Sequence, residues 1–156
     1  MLGMKTYRDD YISACRARIE QNVKAYDELR LGAAAGVFEA RFFNDQLLLL
    51  DYMFVHRLSG IEGKDGNPLN EVRALSNSLL LNDGKLQVEK LPGWPNSAVS
   101  GLRLAPDRSL LKMTNGQRIE LTRDRFLKLA DAFFEEIEMR YSQGSQTAVR
   151  VAGKPS

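Results

Sequence analysis

The chain reads as an α+β protein, predominantly α-helical: three N-terminal helices, a small antiparallel β-hairpin or sheet over about residues 85–121, and a C-terminal helix. Three features predict this. Apolar residues recur at spacings of three and four through most of the first 82 positions. The texture then changes to short alternating runs broken by turn residues. A last amphipathic stretch opens on a threonine that suits a helix N-cap.

The first helix is expected over 7–30. Ile12, Cys15, Ile19, Val23 and Tyr26 make one apolar stripe, and Arg16, Arg18, Glu20, Gln21, Lys24 and Glu28 surround it with polar groups. "LGAAAG" at 31–36 breaks it, because glycine costs about 1 kcal/mol against alanine inside a helix. The second helix is expected over about 37–59. Phe43, Leu47, Leu50, Phe54, Leu58 and Ile61 form its stripe, while Phe38, Phe42, Leu48, Leu49, Met53 and Val55 spread apolar surface round the rest. A helix apolar on nearly every side belongs at the centre of a core or in an oligomer interface. Gly60 and Gly63 stop it.

A third helix is expected over 67–82. Asn67 is placed to cap it, Pro68 falls at the first turn where a missing N–H does no harm, and Leu69, Val72, Leu75 and Leu79 follow at helical spacing. "NDG" at 82–84 ends it. "KLQVEKL" then alternates as a half-buried strand does. "SLLKMTNGQRIEL" predicts a hairpin turning at Asn115-Gly116, with Met113 facing Arg118 and Lys112 facing Ile119. Thr122 caps the final helix, 123–141, whose inner face is Phe126, Leu129, Ala130, Phe133, Ile137 and Tyr141. Residues 1–141 are expected to form one globular domain, since a chain of 156 residues buries roughly 70% of its unfolded surface. Residues 142–156, poor in large apolar side chains, are expected to be a disordered tail.

Composition narrows the class of function. Twenty-two basic against 20 acidic residues give a net charge of +2, which is no electrostatic footprint for nucleic acid. The basic residues Arg103, Arg108, Lys112, Arg118, Arg123 and Arg125 do not line one face of the expected hairpin, so nucleic-acid binding through 103–125 is the weakest alternative. Trp94, in "PGWPN", is expected to plug the core edge. One cysteine, Cys15, rules out an internal disulfide and makes the cytoplasm the default setting. Glu39, Arg41, Asp45, Asp51 and Arg57 interrupt the most apolar stretch, so no membrane span is expected.

Chemistry is thinly signalled. "GIEGKDGN" fails as a P-loop, because Asp65 follows Gly63-Lys64 and Leu58 stands in place of the first glycine. It fails as an EF-hand, because Asp65 and Asn67 fit two ligand positions but Leu69 occupies the next, and Pro68 intervenes. One His and one Cys without ligand spacing give no metal site, and no residue pattern specifies a cofactor. As a loop over the core, 56–73 offers His56, Arg57, Glu62, Lys64, Asp65 and Glu71; as a corner between helices the same residues need do nothing but turn and solvate. On the second helix, Arg41, Asp45, Tyr52 and His56 form a polar strip opposite the apolar stripe, facing solvent, a pocket or a partner. Asp51, inside "LLLLDYMF", is expected to be buried and paired with Arg16, Arg18 or backbone N–H groups; the alternative is a proton-transfer carboxylate.

Two functional classes stand. The first is a non-catalytic binding domain that self-associates, as a dimer, through the second helix. The second is an enzyme or small-ligand-binding protein with a site at His56, Asp51 and residues 60–67, joined by Arg41, Asp45, Tyr52, Glu62, Lys64 and Asp65.

Overall fold

A computed structural model describes residues 6–54, 68–88 and 109–144. They form a four-helix body: α1 (Asp9–Glu28), α2 (Gly36–Met53), α3 (Pro68–Leu81) and α4 (Arg123–Tyr141), with a 3-10 turn at Gly32–Ala34. No helix is long and apolar enough to cross a membrane among the described residues.

The apolar stripes explain the packing. Ile12, Cys15, Ile19, Val23 and Tyr26 are the buried residues of α1, as their spacing predicts. Phe43, Leu47, Leu50 and Phe54 are fully buried. Every predicted core position of α4 is buried, and Phe134 joins them. α1 and α2 run antiparallel: Tyr26 packs on Phe38, Phe42 and Phe43 at one end, and the Tyr11 hydroxyl donates to the Met53 carbonyl at the other. α4 completes the aromatic core, with Phe43 against Phe126 and Phe54 against Phe133 and Phe134. Thr122 caps α4, its hydroxyl accepting from the Arg125 N–H at 3.2 Å.

Two expectations about elements are corrected. The described residues contain no strand, so the hairpin does not form there. The turn itself is present: the Gln117 N–H donates to the Thr114 carbonyl, and Gly116 takes φ +87°. Its two arms do not pair because other groups occupy them. Lys112 turns at φ +56°, and its N–H donates to the Ser109 hydroxyl. The N–H groups of Leu110 and Leu111 donate to Glu71. On the other arm, Ile119 donates to the Gly84 carbonyl, and Leu86 exchanges hydrogen bonds with residues 116 and 117 around an isolated Lys85–Arg118 bridge. Asn44 of α2 ties this arm down, donating to the Ile119 carbonyl and accepting from the Leu121 N–H.

The second correction concerns enclosure. α2 is not wrapped on every side: Val37, Phe38, Arg41, Asp45 and Tyr52 leave one flank exposed from end to end. A helix at the edge of a four-helix body can bury only its inward half. The enclosed helix is α3, in which nine of 14 residues are buried, among them Asn70, Glu71, Arg73, Ser76 and Ser78. Hydropathy hid this, because polar residues cover much of α3's circumference.

Ser142–Gly144 extend past α4 against the N-terminal end. The Tyr7 N–H donates to the Tyr141 carbonyl, and the Gln143 N–H donates to Tyr7. Residues 145–156 lie outside the described residues.

Candidate functional site

Two constellations stand out, one on each flank of α2. On the α3 flank, Asp51 is buried, and the Arg73 Nε donates to its Oδ1 at 3.1 Å, with 10% of the arginine and 12% of the aspartate side chain exposed. Two positions before Arg73, the buried Glu71 carboxylate accepts from the N–H of Leu110 at 2.6 Å and of Leu111 at 2.9 Å. A buried carboxylate needs such partners to stay charged. Asp51 is therefore paired, as expected, but with Arg73 rather than an arginine of α1. The wheel explains the choice: Asp51 sits on the α3 side, whereas Arg16 binds Glu138 and lies over the Phe134 ring. The arrangement does structural work, holding α2 to α3 and α3 to the 109–112 turn.

On the opposite flank, α1 and α2 part to leave a groove of about 610 Å³. Tyr11, Ala14, Cys15 and Arg18 line it from α1 at spacings of three, one and three; Leu49, Tyr52 and Met53 line it from α2. Ala14 makes the opening, since a large side chain there would fill it. Burial pushes the Tyr11 phenol up to about 12, helped by the neighbouring Cys15 and Tyr52. Burial also raises the Cys15 thiol, against a smaller lowering by Tyr11. Both groups are neutral near pH 7, so Cys15 lacks the thiolate character of a nucleophile.

Of the predicted site residues, those described lie on two sides of α2. Arg41 and Asp45 face solvent, and Tyr52 is 73% exposed. Asp51 points away from them to α3. His56, Arg57, Glu62, Lys64 and Asp65 lie outside the described residues, as do Trp94, Arg103 and Arg108. Among the described residues no group of three or more His, Cys, Asp or Glu is placed to hold a metal ion.

No family model, curated protein or solved structure matches this chain. Its chemistry is read from its own side chains.

Sequence reasoning missed the groove and the role of Glu71. The groove had a faint signal in Ala14, the smallest member of an α1 face otherwise made of Tyr11, Cys15 and Arg18. Pattern places Glu71 among the charges of a turn, and nothing local marks it as the acceptor for N–H groups some 40 positions away. Where it is described, the basic stretch makes contacts within the chain. Arg118 donates to the Asp83 carbonyl, Arg123 pairs with Asp27, and Arg125 donates to the Leu111 carbonyl.

Proposed function

We propose that the protein is a helical binding module that pairs with a second copy of itself along the exposed flank of α2. The supporting observation is the pattern of that flank: Val37, Phe38, Arg41, Asp45, the half-buried Leu48, and Tyr52. Two-fold contacts are self-complementary, so residue i must suit residue j in both directions. With antiparallel helices crossing at Phe43, Arg41 meets the second copy's Asp45 twice, and Phe38 meets Leu48 twice. Crossing at Asp45 instead sets two carboxylates together, which is unfavourable.

An 18-residue helix is about 27 Å long, so this contact is smaller than a standard interface, and a dissociation constant of about 10–100 μM is expected. Sedimentation velocity across that range tests it. Asp45→Arg should shift the protein to monomer by opposing two arginines, and adding Arg41→Asp should restore the dimer. Wild type that remains monomeric at about 1 mM, well above that range, would end this reading.

The enzyme reading at Asp51 has less support. A proton-transfer carboxylate needs access to substrate, and Arg73 closes Asp51 off.

A further inference from the structure

We propose that the groove between α1 and α2 binds a small organic carboxylate with an aromatic or alkyl body, its carboxylate held by Arg18. This does not rest on self-association. The two surfaces share Tyr52, but the residues that decide the ligand are on α1.

Size, lining and charge each point to that class. The groove's volume of about 610 Å³ lies within the range of small-molecule sites, roughly 300–1,000 Å³. From Tyr11 to Arg18 the helix rises about 10 Å, which suits a ring and a short chain rather than a protein segment. Leu49, Met53, Ala14 and the two tyrosine rings give the body of the ligand apolar and aromatic walls. Arg18 supplies the only charge in the described lining. The other arginines of α1, α3 and α4 are engaged: Arg16 with Glu138, Arg73 with Asp51, Arg123 with Asp27, Arg125 with the Leu111 carbonyl, and Arg140 with Glu136. Arg18 has no ion pair or hydrogen bond among the described residues. A guanidinium binds carboxylates with two parallel donors, which favours an acid over an alcohol or an amine with the same body. No acidic side chain in the described lining opposes it, and the Tyr11 and Cys15 groups stay neutral at physiological pH.

Three probes sharing one body separate charge from apolar contact: 4-phenylbutyrate, 4-phenylbutanol and 4-phenylbutylamine. Amide and methyl NMR shifts of the full chain are followed during titration to about 10 mM, the range set by the ligand efficiency of so small a molecule. Phenylbutyrate should shift Ala14, Cys15, Leu49 and Tyr52, and bind about tenfold more tightly than the amine. Arg18→Ala should weaken phenylbutyrate roughly fivefold and remove its advantage over the alcohol. Ala14→Leu, at an exposed helical position that tolerates leucine, should abolish binding of all three. Repeating the titration on Asp45→Arg separates this site from self-association, and the same affinities are expected. Equal binding of acid and amine, binding that survives Ala14→Leu, or no shift at the highest concentration would each overturn the proposal.

Discussion

Asp51 and Arg73 meet in a contact that leaves both side chains nearly out of water. Such a pair gains little over apolar residues of similar size, but removing one member strands the other. Asp51→Ala is therefore expected to cost about 3 kcal/mol, read from the urea midpoint. Replacing both, as Asp51→Leu with Arg73→Met, should recover most of that loss. A double variant no more stable than the single one would mean that the carboxylate serves something other than this pair. The carboxylate's burial was legible in the sequence, since it interrupts an apolar run. Its partner was not: the arginines of α1 are as near in pattern as Arg73, and only the flank of α2 on which α3 packs decides between them. Likewise Cys15 was legible as a core residue, while the groove beside it depends on how two helices diverge.

Between elements, side chains do what a β-ladder would otherwise do. Glu71 on α3 takes the N–H groups of Leu110 and Leu111, and Asn44 on α2 takes both backbone groups of the 119–121 arm. Glu71→Gln turns one acceptor into a donor that faces an N–H. A loss of about 1–2 kcal/mol is expected, with hydrogen exchange at Leu110 and Leu111 roughly tenfold faster while the α4 core amides slow or quicken only with global stability. Unchanged exchange at those two amides would show that the turn holds itself. This clamp also explains the unformed hairpin. Asn115-Gly116 did specify a turn, and Gly116 adopts the expected positive φ. Turn chemistry is local and was readable; the fate of the arms depends on a glutamate far along the chain and was not. Two helix ends were readable for the same local reason, as the Thr122 cap and the stop at Asp83-Gly84 show, but the end of α2 was not: it stops at Met53, with Phe54 already out of helical geometry, and does not reach 59. Hydropathy points to α2 as the enclosed helix because it counts apolar atoms, whereas α3 buries polar side chains, of which Glu71, Arg73 and Ser78 are held by hydrogen bonds.

Across the whole molecule, the ends of the helices are tied at separate points, and one tie makes stability depend on pH. Arg123, at the start of α4, holds Asp27, at the end of α1, through two hydrogen bonds of 2.7 and 2.8 Å. These hold the Asp27 carboxyl below its ordinary value, against a smaller opposing effect of burial. The unfolded chain therefore binds this proton more readily than the folded one. The contribution is complete above the ordinary carboxylate value of about 3.9 and is lost as pH falls through the folded value. With 38% of the Arg123 side chain and 41% of that of Asp27 exposed, water screens the pair, and it contributes less than about 1 kcal/mol. Asp27→Asn should lower stability by up to that amount at neutral pH. The gap should close near about pH 2, where the wild-type carboxylate is also protonated. In about 1 M salt, where the screening length falls to about 3 Å, the neutral-pH gap should narrow as well. Denaturant titrations at the two pH values and two salt concentrations measure all of this. A gap of constant size throughout would assign the contact to packing of the side-chain stems, and the junction of α1 and α4 would then be held by shape and not by charge.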